Sequence, residues 1–320
     1  MTLLSVRDLR VEFPAGTALR GLSFDLARGE RLGIAGESGS GKTLAALACM
    51  GMLPEGAQSG GAIMFDGQPV TDLPETGWAN LRGRRIAMIF QEPMSALNPL
   101  QRIGRQITET MLWHAPLPRA EAEKRALSLM EEVGMPDPAA RLRMYPHELS
   151  GGQRQRALIA MALAGDPDLI LADEPTTALD ATRTAQVLDL LRNLAQARGM
   201  ALILISHDLA AIERVAERML VLYAGDLVEE GPAGAVLADP AHPYTQGLIA
   251  ARPRPRPAGA LRRALPAIPG MVPDLRDLPP GCRFHGRCAL GIAECGRARP
   301  EMRACGPDRA ARCVRIAGPQ

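Results

Sequence analysis

The stretch that decides how this chain folds is Gly36-Glu37-Ser38-Gly39-Ser40-Gly41-Lys42-Thr43. It is set between the apolar run Arg31-Leu32-Gly33-Ile34-Ala35 and the helix-forming Leu44-Ala45-Ala46-Leu47-Ala48. The order is strand, glycine loop, helix, with the spacing G-x-x-x-x-G-K-[ST]. Glycines let such a loop curl until successive N–H groups face one anion, and the new helix adds its positive end. Gly36, Ser38, Gly39, Ser40 and Gly41 form the cradle; Lys42 reaches the β- and γ-phosphates of a nucleotide, and the Thr43 hydroxyl is placed to ligand Mg²⁺. Of 37 basic residues only Lys42 and Lys124 are lysine. A compact ammonium thus stands where a planar guanidinium would fit phosphates less well.

Working outward, 320 residues are enough for one large core plus a small appendage, about two domains. A net charge of +2 argues against a dedicated nucleic-acid binder. No apolar run approaches the ~18 residues of a membrane span. Arg7, Asp8 and Arg10 interrupt the start before a signal h-region forms, which predicts a cytoplasmic chain whose membrane role comes through a partner.

Leu3 to Phe13 and Ala18 to Leu26 alternate loosely between apolar and charged residues around Pro14-Ala15-Gly16, and read as strands of an antiparallel sheet. Phe13 is placed either to stack on an adenine ring or to fill a core. Gly60-Gly61 and Asp66-Gly67 flank a further strand, and hence a hairpin. Ile86 to Phe90 is a short buried strand ending in Gln91, where ligands bind in an open α/β sheet. Gln91 is there either a contact for Mg²⁺ or the attacking water, or an ordinary loop residue. From about Ile103 to Met144 charged amphipathic helices punctuated by Pro116, Pro118, Pro136 and Pro138 predict a helical subdomain inserted in the core.

That subdomain leads to Leu149-Ser150-Gly151-Gly152-Gln153, in which Ser150 is a natural N-cap and Gly151 and Gly152 open a helix start to an anion. Leu169 to Ala172 is a buried parallel strand delivering Asp173 and Glu174, with Pro175 ending it. Asp173 is placed to hold the Mg²⁺ shell, leaving Glu174 free to orient or deprotonate water attacking the γ-phosphate. Ala201 to Ile205 is a third such strand, and His207 emerges from it at the same sheet edge.

Together these motifs resemble the nucleotide-binding subunit of ATP-binding cassette (ABC) transporters, over residues 3 to 250. Phosphate loop, Q-loop Gln91, signature Leu149 to Gln153, Walker-B Asp173 and Glu174, D-loop Ala178-Leu179-Asp180 and switch His207 stand in that family's order. The resemblance implies an α/β P-loop ATPase core with a mixed sheet, an antiparallel β-subdomain and an inserted helical subdomain. It also implies a head-to-tail ATPase pair, ATP on one phosphate loop being capped by Ser150, Gly151, Gly152 and Gln153 of the other copy. His207 would contact the γ-phosphate, and Mg²⁺ would be held through Thr43, Gln91 and Asp173.

Asp239 to Leu248 and Phe90 to Pro99 look like segments of oligopeptide and dipeptide importer ATPases. That group implies a peripheral place on the cytoplasmic face of the inner membrane. Its partners are two membrane permeases, an extracytoplasmic solute-binding protein and a second ATPase, different in a heterodimer or identical in a homodimer. Relatives in the group move nickel, opines or glutathione. Soluble cassette ATPases of repair or translation fit less well, because they carry two cassettes or long coiled-coil arms.

The expected division is residues 1–251 as the nucleotide-binding domain, with the helical subdomain at about 92–150, then 252–281 as a linker and 282–320 as a Cys-rich tail. The linker, with eight prolines between Arg252 and Gly281, predicts a stiff solvated connector. The tail carries Cys282, Cys288, Cys295, Cys305 and Cys313, whereas Cys49 stands alone before them. In a chain without an export signal this clustering points to metal before disulfides, and it leaves iron–sulfur and zinc both open. Resemblance to peptide-importer ATPases implies a [4Fe–4S] cluster on Cys282, Cys288, Cys295 and Cys313. Cys305 is then spare or a substitute for Cys313, with His285 as a further possible ligand.

Overall fold

In the computed structural model the described residues are 1–92, 96–115, 117–177, 179–252 and 266–316. Pro93, Met94 and Ser95 of the importer-like segment, Pro116, Ala178 of the D-loop, residues 253–265 of the expected linker and the end of the tail (317–320) lie outside them.

Two sheets face each other across one of two cores. Strands β1 (Thr2–Phe13), β2 (Gly16–Ala27), β4 (Gln58–Phe65) and β5 (Gln68–Pro69) form an antiparallel sheet in the order β2-β1-β4-β5. The larger sheet contains β3 (Arg31–Ala35), β6 (Ile86–Ile89), β7 (Leu169–Asp173), β8 (Ala201–Ser206), β9 (Arg218–Tyr223), β10 (Asp226–Pro232), β11 (Arg303–Gly306) and β12 (Arg309–Ala311). Its order is β11-β12-β10-β9-β3-β8-β7-β6. Strands β9, β3, β8, β7 and β6 are parallel neighbours, while β10 and the C-terminal hairpin add antiparallel edges.

The apolar runs read as buried strands are apolar on both faces because both faces are covered. Along β7, Leu169 and Leu171 join the core shared with β1, β2 and the helix Lys42–Cys49. Ile170 and Ala172 face the helical side, which includes Gly151–Leu163 and Ala181–Arg198. The helical subdomain consists of Ile103–His114, Arg119–Glu132 and the short Pro138–Arg141, packed through Ile107, Met111, Ala122, Ala126 and Met130.

The C-terminal region is not an independent appendage. Strand β12 pairs with β10, Glu229 opposite Ala311, so the tail extends the main sheet. Phe284 sits 5.1 Å from Tyr223 and 5.3 Å from Tyr244, ring centre to ring centre, closing an aromatic cluster with cassette residues. Residues 266–281 are also not the solvated connector expected of a Pro-rich stretch. Val272, Pro273, Leu275 and Leu278 are half-buried along the cavity beside the phosphate loop, so apolar surface holds them down.

Candidate nucleotide site

The phosphate loop leaves β3 at Gly36 and enters the helix Lys42–Cys49. Glycine is required at both ends of the curl. Gly36 has φ of 152°, and a Cβ there would stand 2.3 Å from the Leu222 carbonyl oxygen; Gly41 has φ of 95°, and its Cβ would meet Leu19 at 2.6 Å. Lys42 is buried, its Nζ donating to the carbonyls of Gly36 at 2.8 Å and Glu37 at 2.9 Å. Burial lowers its pKa, against the opposing pull of Glu174, Asp173 and Glu37.

An open cavity of about 540 Å³ lies along this loop, of a size suited to a nucleotide. Ser38, Gly39, Ser40, Gly41, Lys42, Thr43, Gln91 and Glu174 line it. The parallel register puts the ends of β7 and β8 side by side, Asp173 opposite Ile205, and the ends of β6 and β7 likewise, Ile89 opposite Ala172. Gln91, Asp173, Glu174 and His207 therefore follow three adjacent strands at one sheet edge, next to the β3 loop.

Asp173 is buried, and its Oδ1 has no hydrogen-bond partner. Burial raises its pKa, while the Thr43 hydroxyl pulls it down. A buried, unsatisfied carboxylate oxygen beside Thr43 is the donor chemistry a hydrated Mg²⁺ requires. Glu174 takes the left-handed conformation, φ 44°, uncommon for a non-glycine residue. Its N–H donates to the Ile205 carbonyl at 2.9 Å, and the Thr177 hydroxyl donates to the Glu174 carbonyl at 3.1 Å. His207 Nδ1 stands 2.9 Å from Glu174 Oε1, and Gln91 Nε2 lies 3.5 Å from Oε2.

The signature segment and Phe13 are not among the residues lining this cavity. Ser150 caps the helix Gly151–Leu163, the Gln153 N–H donating to its Oγ at 3.4 Å and the Ser150 N–H to Gln153 Oε1 at 3.0 Å. Ser150, Gly151, Gly152 and Gln153 do not line the cavity of their own chain. Phe13 is not among the lining residues, although Gly16, its partner across the β1–β2 turn, lies against Leu275 of that lining. At the end of β1, opposite Gly16, it is half-buried with part of its ring against the inter-sheet core.

Sequence reading missed the residues that hold the loop from outside. The Glu37 N–H donates to Tyr244 Oη at 2.8 Å, and Arg287 clasps the Glu37 carboxylate with Nη1 at 2.7 Å and Nη2 at 3.2 Å. A usable signal existed only for Tyr244, one of three tyrosines and inside the Asp239 to Leu248 segment.

In the tail, Cys282, Cys288, Cys295 and Cys313 line one small hollow with Phe284, Leu290, Pro300 and Val314. Short turns carry them, the Cys282 N–H donating to the Cys295 carbonyl at 2.7 Å and the Gly291 N–H to the Cys288 carbonyl at 3.0 Å. Burial pushes the Cys282 thiol up to about 11. Cys305 lies in β11, away from that hollow. Among the described residues no three His, Cys, Asp or Glu side chains stand close enough to hold a single metal ion.

Fold and site together define a P-loop ATPase of the ATP-binding cassette class. The ABC transporter family matches residues 19–177, and the C-terminal region of oligopeptide/dipeptide transporters matches residues 228–295. A putative peptide import ATP-binding protein of Brucella abortus is 45% identical over 97% of this chain and 94% of its own length. The oligopeptide transport ATP-binding protein OppD of Salmonella typhimurium is 44% identical over 98% of this chain and 93% of its length. The probable D,D-dipeptide transport ATP-binding protein DdpD of Escherichia coli is 44% identical over 98% and 95%. Among solved structures, a dimeric post-hydrolysis ATP-binding cassette bound to ADP and Pi superposes with a TM-score of 0.65 at 26% identity, covering 72% of this chain and 99% of that one. The cassette cbiO1 of Clostridium perfringens, part of an ABC transporter complex, gives 0.66 at 26%, covering 74% and 91%. The chain belongs to the ATP-binding subunits of ABC transporters, in the oligopeptide and dipeptide group, and its cassette is an ATPase.

Proposed function

We propose that this chain powers the import of dipeptides or oligopeptides from the cytoplasmic face of the inner membrane. It would sit peripherally against two membrane permeases and pair with a second, different ATPase, solute arriving on an extracytoplasmic binding protein. The observation that carries the reading is the convergence of Lys42, Thr43, Gln91 and Glu174 on one cavity with Asp173 beside it, in a chain that also has the peptide-transporter C-terminal region. No helix among the described residues is long and apolar enough to cross a membrane. Leu100, 85% exposed, and Trp113, 78% exposed, offer apolar contacts to a partner on the helical side.

In this reading Lys42 exchanges its two loop carbonyls for β- and γ-phosphate oxygens. Thr43, Gln91 and Asp173 would hold Mg²⁺, which neutralises phosphate charge when bound. Glu174 takes the proton of the attacking water, oriented by His207 and Gln91. Ser150 to Gln153 of this chain, lying outside its own cavity, close over the nucleotide of the paired ATPase, whose own signature segment closes over this one. The expected result is that, in vesicles holding permeases and both ATPases, a peptide-loaded binding protein stimulates ATP turnover, whereas binding protein loaded with nickel, an opine or glutathione does not. Stimulation by one of those solutes and not by peptide would reject peptide import.

Cys282, Cys288, Cys295 and Cys313 are read as ligands of a [4Fe–4S] cluster, which would cross-link a segment too small to form a core unaided. Four thiols around one apolar hollow, with the fifth elsewhere, support that ligand set. Protein purified without oxygen is expected to hold about four iron and four sulfide with broad visible absorption. Loss of the cluster is expected in Cys295→Ser and not in Cys305→Ser. One zinc per chain and no colour would rule the cluster out.

A further inference from the structure

The turn between Cys282 and Cys288 bears on the phosphate loop from two sides. Near its start Arg283, 5% exposed, donates to the carbonyls of Ala224 and, at 3.0 Å, of Thr17. Ala224 lines the nucleotide cavity in a left-handed conformation, φ 45°, and the next N–H, that of Gly225, donates to the Ser40 carbonyl at 2.9 Å. At the end of the turn Arg287 clasps the Glu37 carboxylate with both Nη atoms, donates from Nε to the Pro269 carbonyl at 2.8 Å, and lies 5.7 Å from the centre of the Tyr223 ring. Its side chain is 8% exposed, so the guanidinium end of the pair is largely out of water, where a charge-assisted bond is strong. Tyr244, buried against Tyr223 and Phe284, accepts the Glu37 N–H at 2.8 Å.

Lys42 holds the same residue from inside, its Nζ on the carbonyls of Gly36 and Glu37. Those two bonds are given up once the ammonium turns to the β- and γ-phosphates, which leaves the Ser40 N–H, at 3.2 Å, as the inner contact of the Glu37 carbonyl. The outer clasp then holds the start of the curl. It also keeps a carboxylate beside an anion site neutralised, whereas an unpaired Glu37 would repel the triphosphate next to it. We infer that Arg287 is a positioning residue for nucleotide binding, holding Glu37 and with it the phosphate loop while Lys42 engages phosphate, with Tyr244 as its second support. The inference rests on the nucleotide-site reading above and adds that the loop is set from the C-terminal region. Seating of the Cys282–Cys288 turn and occupancy of the loop are then linked, each favouring the other. Because the loop grips triphosphate in the ground state and the transition state alike, the link acts on ATP affinity and leaves the chemical step alone.

Calorimetric titration of the full-length chain with MgATP tests the clasp. Arg287→Ala is expected to bind about 10-fold more weakly, the low end for a hydrogen-bonded charge, and Tyr244→Phe, which keeps the ring packing, about 5-fold more weakly. Arg287→Lys, with the charge but not the fork, should fall between the parent and Arg287→Ala. For all three the rate at saturating MgATP in the reconstituted assembly should stay within about 2-fold of the parent. Adding Glu37→Gln to Arg287→Ala should recover part of the lost affinity, because the unpaired carboxylate is removed; a mere tether predicts no recovery. Hydrogen exchange with a non-hydrolysable MgATP analogue reads the linkage. In the parent the analogue should slow exchange in residues 36–43 and also at the Arg287 and Cys288 N–H groups, which donate to the carbonyls of Phe284 at 3.0 Å and His285 at 3.2 Å. In Arg287→Ala only residues 36–43 should respond. The inference is overturned if Arg287→Ala binds MgATP like the parent, if it lowers the saturated rate instead of the affinity, if Glu37→Gln recovers nothing, or if the parent's tail amides ignore the analogue while 36–43 respond. A parent that binds no MgATP overturns the nucleotide-site reading with it.

Discussion

Glu174→Gln is expected to bind MgATP as the parent does and to hydrolyse it at least about 100-fold more slowly, the low end of what a positioned general base contributes. The substitution keeps side-chain length, and the amide that replaces the carboxylate still offers an oxygen toward His207 or Thr177, so the left-handed turn after β7 keeps its supports. Lys42, Thr43 and Asp173 are untouched, which is why binding survives. What is lost is an oxygen basic enough to accept a proton from water. A carboxylate held 2.9 Å from His207 Nδ1 by an uncommon backbone conformation, with its N–H bonded to the Ile205 carbonyl, is oriented before substrate arrives. If His207 and Glu174 act as a unit, Glu174→Gln/His207→Ala should be no slower than Glu174→Gln alone. The measurement is single-turnover hydrolysis with binding followed in parallel. Near-parental turnover would remove Glu174 from its role.

The second large effect concerns stability. Asp226 is 3% exposed at its side chain and is the carboxylate at the centre of four guanidiniums. Arg20 pairs with it through Nε at 3.1 Å and also through Nη2; Arg299 pairs at 3.0 Å. Burial pulls Arg283 and Arg312 down to about 10 each, with Asp226 opposing. Arg283 in turn donates to the carbonyls of Ala224 and Thr17, and Arg312 Nε to that of Leu227 at 2.9 Å. Removing the carboxylate would leave these charges packed together with no counterion. Breaking one side of a buried ion pair costs about 3–5 kcal/mol. Arg20 and Arg299 keep some water contact, so the low end applies to Asp226→Ala, about 3 kcal/mol. This corresponds to roughly 4–5 °C in thermal midpoint for a chain of this length. Arg7→Ala, which breaks the exposed Arg7–Asp25 pair, should cost less than about 1 kcal/mol under the same conditions. Equal midpoints for the two variants would show that Asp226 does not organise the arginine cluster.

The two effects belong to different parts of the sequence-to-function chain. Glu174 acts on the reacting atoms. Asp226 acts on whether the C-terminal region stays joined to the cassette, because Arg20 comes from β2 and Arg283, Arg299 and Arg312 from the tail. The aromatic contacts of Phe284 with Tyr223 and Tyr244 add apolar burial to the same join.

The chain's sequence by itself determined the parts whose chemistry is local. Gly36 to Thr43 specifies a curl, because only glycine tolerates the approach of Leu222 at Gly36. The runs Leu169–Asp173 and Ala201–Ser206 specify strands covered on both faces, and parallel pairing then brings Gln91, Asp173, Glu174 and His207 to one edge beside Lys42. Such signals survive in a linear reading because each spans only a short run of neighbouring residues. Tertiary structure alone decided that Val272, Pro273, Leu275 and Leu278 face the nucleotide cavity, and that Arg287 holds Glu37 across 250 positions. With 37 basic residues, nearly all of them arginine, nothing local marks the one that reaches the phosphate loop. A Pro-rich stretch looks solvated until apolar surface elsewhere in the fold covers it. Contacts of this kind join single side chains from distant segments, so they have no period or spacing to read, and they exist only once the packed core has fixed where those segments meet.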